Sequence, residues 1–107
     1  MSSSRKPWGY ESLLHSGKFA LKRIRMDSGK RCSLQHHKKK CEYIYIVRGK
    51  MRLTLGDEEQ ILCEGGGEYI PAGTVHRMEA MHELVYVEAS TPELDDVVRH
   101  EDDYGRV

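Results

Sequence analysis

The chain has 107 residues, of which 38% are hydrophobic and 32% are charged. Its 17 basic and 17 acidic residues give a formal net charge of zero, a balance that argues against a nucleic-acid or anionic-membrane partner. This length suits one hydrophobic core, so we expect a single domain over residues 1–107.

Cysteine usage and hydropathy indicate the cellular compartment. Cys32, Cys41 and Cys63 are an odd number with no close pair, so we expect reduced thiols rather than a disulfide framework. No stretch approaches the ~20 apolar residues of a membrane span, and the first residues lack the apolar core of a secretory signal. We therefore expect a cytoplasmic protein without a membrane partner.

In chain order, the first predicted elements are irregular. Residues 1–7 are expected to form a flexible tail, and residues 10–16 a short helical turn that ends at Gly17. Trp8 and Tyr10 could pack across a dimer or fasten the tail to the rest of the domain, and of these we prefer a homodimer.

From residue 19 onward, β-branched and aromatic residues in short alternations predict strands. Eight strands are expected, at 19–26, 31–37, 42–48, 50–55, 60–63, 68–70, 76–80 and 83–89. Short strands at this spacing predict an all-β sandwich or small barrel over about 19–90. Thr91 and Pro92 resemble a helix start, so the C-terminal extension over 91–107 is expected to begin with a helix.

Two stretches combine turn glycines with residues that can bind a metal. Residues 29–49 read G-x5-Q-x-H-x4-E-x6-G, and residues 65–76 read G-x5-P-x-G-x2-H. Together they offer one amide, two imidazoles and one carboxylate, a donor set that suits a divalent metal ion.

The expected geometry brings these donors together. Gln35 and His37 lie two residues apart on a predicted strand and therefore project from the same face. Glu42 begins the next strand, and His76 follows the Pro-Ala-Gly turn of a separate hairpin. A closed sheet could bring the two hairpins to one site.

These stretches resemble the two motifs of the cupin superfamily, whose members are jelly-roll barrels of short antiparallel strands. Gln35 stands where the usual first motif has histidine, and Ala80 stands where the second motif commonly ends in asparagine. The run Ser-Leu-Gln-His-His over 33–37, followed by Lys-Cys-Glu over 40–42, is similar to one branch. That branch is the cupin domain of bifunctional mannose-6-phosphate isomerase/mannose-1-phosphate guanylyltransferases. Residues 5–10, 69–77 and 101–106 also resemble this domain, so the resemblance covers most of the chain.

The resemblance implies a single cupin domain in which Gln35, His37, Glu42 and His76 bind one divalent metal ion. Zinc is the first choice, with manganese, iron, cobalt and nickel as alternatives. It further implies an aldose–ketose isomerase that acts on a phosphorylated sugar through a metal-stabilised enediolate. Arg77, next to His76, is the predicted catalytic residue that holds negative charge on the substrate.

Several assignments stay open at the level of the sequence. The general base could be Glu83, Glu88 or His82, and Lys40, Arg99 and Arg106 are weaker candidates for binding phosphate. An iron-dependent oxygenase and a non-catalytic module that binds a sugar or a metal are the alternative functions.

Overall fold

The computed structural model describes residues 2–107, and strands account for the regular structure in that range. The strands are β1 (Ser2–Lys6), β2 (Gly9–Ser16), β3 (Ala20–Met26), β4 (Leu34–His36), β5 (Glu42–Arg48), β6 (Lys50–Leu55), β7 (Glu58–Cys63), β8 (Gly67–Ile70), β9 (His76–Ala80), β10 (Leu84–Ser90) and β11 (Val98–Glu101). No helix in this part of the chain is long and apolar enough to cross a membrane.

The strands form two antiparallel sheets, which confirms the predicted all-β class. The first sheet has six strands in the order β1-β2-β3-β10-β5-β8, and the second has five in the order β11-β4-β9-β6-β7. The eight predicted strands correspond to β3–β10, although β4 is shorter than expected and includes neither Arg31 nor His37.

Alternation along the strands places the core between the sheets. On β5, Ile44 and Ile46 are fully buried, whereas Tyr43 and Tyr45 are about half exposed on the outer face. This period of two is what an antiparallel sheet with one solvated face requires. Apolar residues from both sheets fill the interior, among them Ile24, Met26, Ile44, Ile46, Met51, Leu53, Met78 and Leu84.

The N-terminal prediction was wrong in its secondary structure. The structure has strand β1 where a flexible tail was expected, and strand β2 where a helical turn was expected. The two strands form a hairpin, and β2 pairs with β3 from Gly9↔Met26 to Ser16↔Ala20. Pairing with an existing sheet overrides the weak local preference of these serine-rich and charged residues.

Trp8, between β1 and β2, belongs to the core and is only 6% exposed. Its burial within one chain supports the alternative in which this residue fastens the N-terminal segment to the domain. Tyr10 is 40% exposed and packs under the Arg5 guanidinium. The homodimer itself stays a prediction.

The predicted helix after Thr91 is also absent from the described residues. Residues 91–97 form turns, and the chain then enters β11, which pairs with β4. The backbone and side chains of Thr91 and Asp96 bond to the loop at residues 37–41 instead of starting a helix.

Candidate metal centre

The loop between β4 and β5 and the start of β5 carry two of the predicted metal ligands. His37 directly follows β4, and Glu42 is the first residue of β5. Both are buried, at 5% and 2% exposed. On β5 the inner face continues from Glu42 to Ile44 and Ile46, as the alternation predicted.

The third candidate ligand comes from the second predicted motif. His76 begins β9 and is fully buried. The preceding turn reaches its conformation through Gly73, whose φ of 83° is unfavourable for residues with a side chain. The Gly73 amide donates to the His37 carbonyl at 2.7 Å, so this turn ties the two motifs together at the backbone.

The three side chains converge on one point. Glu42 Oε1 lies 3.1 Å from His37 Nε2 and 3.4 Å from His76 Nε2. One ligand atom from each residue lies within 4.8 Å of the other two. Among residues 2–107, this is the group of three or more histidine, cysteine or acidic side chains with a geometry that could hold a metal ion.

Hydrogen bonds to the backbone fix which nitrogen of each histidine ring faces Glu42. His37 Nδ1 bonds the backbone carbonyl of Asp96, and His76 Nδ1 bonds that of Thr74 at 2.9 Å. Because a carbonyl only accepts, each Nδ1 donates its proton to the backbone, and each Nε2 is the nitrogen that faces Glu42. Metal-bound histidines in proteins are held in the same way.

A divalent cation fits these residues. His76 Nε2 and both carboxylate oxygens of Glu42 are buried without a hydrogen-bond partner among the described residues. Buried polar atoms without partners are rare and destabilising, and a shared cation would satisfy all three. Two imidazoles and one carboxylate suit zinc, iron or another borderline divalent ion, and their chemistry does not select among them.

Gln35, the fourth predicted ligand, lies next to this group. It is the register partner of His76 on the neighbouring strand, so the two side chains share a face. Its amide oxygen accepts a hydrogen bond from Ser33 Oγ at 3.2 Å. One lone pair of that oxygen stays free, and a fourth ligand at Gln35 stays a prediction.

Asp96 holds the loop that carries His37. Its carboxylate accepts the backbone amides of Lys38, Lys39 and Lys40 at 3.0, 2.6 and 2.9 Å. The amide bonds from Lys39 and Lys40 chiefly lower the pKa of Asp96, to about 2. Since the Asp96 carbonyl also bonds His37, this residue fixes both the loop and the ligand ring.

At the other end of the same loop, Thr91 performs the equivalent function for Glu42. The Thr91 amide donates to the Cys41 carbonyl at 3.1 Å, and the Cys41 amide donates to Thr91 Oγ1 at 3.2 Å. Sequence reasoning missed both Thr91 and Asp96. No local pattern identifies them, since they act on residues 50 or more positions away.

A cavity of about 400 Å³, partly open to solvent, lies beside the cluster and is lined by Gln35, His37 and Glu88, among others. Glu88 is 8% exposed and lies 3.7 Å from Lys40 Nζ. Burial, and then the negative charge of Glu42, raise the pKa of Glu88 well above its usual range. Burial would also raise the pKa of Glu42, but Glu88, His37 and His76 outweigh it and hold that pKa well below its usual range.

The structure does not bring Arg77 to this site. Arg77 follows His76 on β9, and consecutive residues on a strand project to opposite faces. Its guanidinium donates to the backbone carbonyls of Cys32 at 3.0 Å and Glu101 at 3.4 Å, and it does not line the cavity. Its placement supports a structural role under the C-terminal segment rather than the predicted catalytic one.

Comparison with known proteins identifies relatives that match most of this chain. Residues 2–102 match the family model described as Mannose-6-phosphate isomerase C-terminal. The chain is 39% identical over 107 residues to the xanthan biosynthesis protein XanB of Xanthomonas campestris pv. campestris (strain B100), covering 94% of this chain and 23% of XanB. It is 38% identical over 108 residues to the mannose-1-phosphate guanylyltransferase ManC of Salmonella typhimurium, covering 95% of this chain and 22% of ManC. The chain thus spans less than a quarter of the length of these curated relatives.

Solved structures show the same fold at lower sequence identity. KdgF from Halomonas sp. superposes with a TM-score of 0.82 at 17% identity, over 89% of this chain and 91% of that chain. An RmlC-like cupin from Shewanella frigidimarina gives a TM-score of 0.74 at 15% identity, over 80% of this chain and 78% of that one. These similarities confirm the predicted cupin fold.

Proposed function

This chain belongs to the Mannose-6-phosphate isomerase C-terminal family, and from that premise we propose that it is a metal-dependent aldose–ketose isomerase. The proposed substrate is a phosphorylated hexose, with mannose 6-phosphate as the first candidate. The observation that carries this proposal is the buried His37, Glu42 and His76 group beside a cavity of about 400 Å³. That volume falls in the range of pockets that bind small molecules.

His37, Glu42 and His76 would hold the cation, with Gln35 as the proposed fourth ligand. When bound, a divalent cation supplies Lewis-acid polarisation of a carbonyl oxygen. The imidazoles are neutral donors, so Glu42 is the one anionic ligand in the group and leaves the site with net positive charge. A site of this kind favours a substrate that presents oxygen atoms and develops negative charge.

Glu88 is the residue best placed to move a proton. It lines the cavity from β10, next to the cluster, and Lys40 lies beside its carboxyl group. In an aldose–ketose interconversion the proton on carbon 2 is transferred to carbon 1, while the hydroxyl proton moves from the carbon-2 oxygen to the carbon-1 oxygen. A single carboxyl group can take the proton from one carbon and return it to the other, and because the reaction only moves protons within the sugar it needs no oxidant or reductant.

The test measures bound metal first and turnover second. Wild type, His76→Ala, Gln35→Ala and Glu88→Gln would be assayed for interconversion of mannose 6-phosphate and fructose 6-phosphate by NMR in both directions. We expect His76→Ala to lose metal and activity together, and Glu88→Gln to keep its metal while turnover falls by about 100-fold or more.

Glu83→Gln is the matched control for Glu88→Gln. Glu83 is an exposed glutamate that precedes the same strand and pairs with Arg25 at 2.9 Å, away from the cavity. Its substitution should leave turnover unchanged. Full metal content in the wild type with no turnover of any sugar phosphate would instead support the non-catalytic binding module.

One observation favours a second candidate function. Two histidines and one carboxylate, in buried convergence, are also the ligand set of non-haem iron oxygenases. That function requires iron and consumes oxygen, so an oxygen electrode with iron-loaded protein separates it from an isomerase.

A further inference from the structure

The cavity beside the candidate metal centre has an excess of cationic side chains. Five line it: Lys6, Lys22, Lys40, Arg99 and Arg106. Carboxylates lie close to three of them, at 3.2 Å for Lys22–Glu11, 3.7 Å for Lys40–Glu88 and 2.8 Å for Arg106–Asp102. The charges of Lys22 and Arg106 are therefore largely compensated within the protein, and Lys40 has a buried carboxyl group beside it.

Arg99 differs from those three cations. Within residues 2–107 it makes no ion pair, and its Nε is buried without a hydrogen-bond partner. A buried guanidinium N–H without an acceptor lowers the stability of the fold. This N–H is therefore available to bind an acceptor from a ligand. The planar fork of a guanidinium matches the oxygens of a phosphate group, which it can bind through two parallel hydrogen bonds.

Strand register relates Arg99 to the metal centre. Arg99 on β11 is the partner of Gln35 on β4, and Gln35 is the partner of His76 on β9. Direct partners in antiparallel strands have side chains on the same face of the sheet, and neighbouring strands lie about 4.8 Å apart. Arg99 and His76 are two strands apart, so their backbones are separated by about 10 Å. An open-chain hexose phosphate likewise has its carbonyl carbon and its phosphate at opposite ends.

We propose that Arg99 forms an anion subsite that binds the phosphate group of the substrate, while the sugar's carbonyl end lies at His37, Glu42 and His76. Lys6, on edge strand β1, is a second cavity cation without an ion pair in the described chain, and it adds positive potential there. The sugar part of this inference rests on the proposed function, whereas the anion subsite itself does not.

The test uses the full chain after removal of metal with a chelator, so that phosphate cannot bind to a cation. Calorimetry measures binding of inorganic phosphate and mannose 6-phosphate, with uncharged mannose for comparison. We expect both anions to bind more tightly than mannose. Arg99→Gln should weaken both by about tenfold, and Arg99→Lys, which keeps the charge but loses the fork, should weaken them less.

Lys22→Gln is the matched control, because Lys22 lines the same cavity but is already paired with Glu11. Its affinity for phosphate should stay within about twofold of wild type, since a compensated charge contributes little. If Arg99→Gln fails to fold, the Arg99 Nε–H resonance of the wild type decides the matter. It should shift on addition of phosphate, and an unchanged resonance would overturn the subsite.

Turnover of the metal-loaded protein separates this inference from the proposed function. Phosphate binding that depends on Arg99, in a protein without isomerase activity, supports the subsite and overturns the isomerase. Isomerase activity with equal phosphate affinity in wild type and Arg99→Gln overturns the subsite and supports the isomerase.

Discussion

The inner face of β5 has two contrasting ends. Glu42 and Ile46 lie on the same face, about 13 Å apart along the strand, and are 2% and 0% exposed. Ile46 belongs to the apolar core, whereas Glu42 faces two histidines and has no hydrogen-bond partner in the described chain. Equal burial therefore serves different purposes: one end stabilises the fold, and the other holds polar groups ready for a ligand.

Glu42→Gln should produce the largest effect, on metal binding. The variant removes the anionic ligand while keeping its shape, so we expect metal affinity to fall by more than about 100-fold, beyond the loss typical of outer-shell changes. Metal that binds only the folded state raises the melting temperature. Differential scanning calorimetry with and without zinc should therefore show a shift in wild type and none in Glu42→Gln. An equal shift in both proteins would remove Glu42 from the centre.

Ile46→Ala tests the other end of the strand. Truncation of a fully buried isoleucine should lower the free energy of unfolding by about 2–5 kcal/mol, through lost burial and the cavity left behind. Urea unfolding of the metal-free protein measures this change. Zinc affinity should stay within about threefold of wild type. A loss of metal affinity as large as that of Glu42→Gln would show that the two ends are not independent.

The sequence predicted the candidate metal ligands better than it predicted the residues that hold those ligands in place. The spacing of the motifs and their resemblance to cupins predicted Gln35, His37, Glu42 and His76 as ligands, and the structure brings His37, Glu42 and His76 together. Arg77 was predicted to be catalytic because it is next to His76 in the chain. Successive side chains on a strand point to opposite faces, however, so the side chain of Arg77 points away from the cavity. Adjacency in sequence is thus weak support for adjacency in a site built on strands.

Long-range contacts explain the remaining differences between the predicted and the observed structure. The eight predicted strands all correspond to observed strands, β3 to β10, although their bounds differ and β4 is shorter than expected. Strand β1 consists of Ser-Ser-Ser-Arg-Lys and has no such alternation, so only its pairing with β2 defines it. Likewise, the role of Asp96 depends on a loop more than 50 residues earlier in the chain. A single sequence contains no local signal for either feature.

A second comparison, with a smaller expected effect, is between Asp96 and Asp102. Both carboxylates accept backbone amides, but Asp96 holds the ligand loop and Asp102 holds Arg106 near the C-terminus. We expect Asp96→Asn to weaken zinc binding by about 10- to 100-fold, because it loosens the loop that positions His37. A competition assay with a chromogenic chelator measures the change.

Asp102→Asn is the matched control for that experiment. It removes the same charge from the same C-terminal region without touching a ligand, so zinc affinity should stay within about twofold of wild type. Both variants should lower the stability of the metal-free protein, which checks that each carboxylate was making its contacts. Equal zinc affinities in the two variants would contradict a positioning role for Asp96.

The smallest expected effect concerns acid stability away from the centre. The side chain of Asp102 is fully buried, and its hydrogen bonds from Arg106 chiefly lower its pKa to about 2. An unfolded aspartate has a pKa of about 3.9, so the ionised carboxylate stabilises the fold fully above that value and progressively less as the pH falls toward about 2. The difference in unfolding free energy between wild type and Asp102→Asn should therefore shrink as the pH is lowered through this window. Urea unfolding of both metal-free proteins across the window measures it. A difference that stayed constant across the window would mean that the charge of Asp102 adds nothing to the stability of the fold.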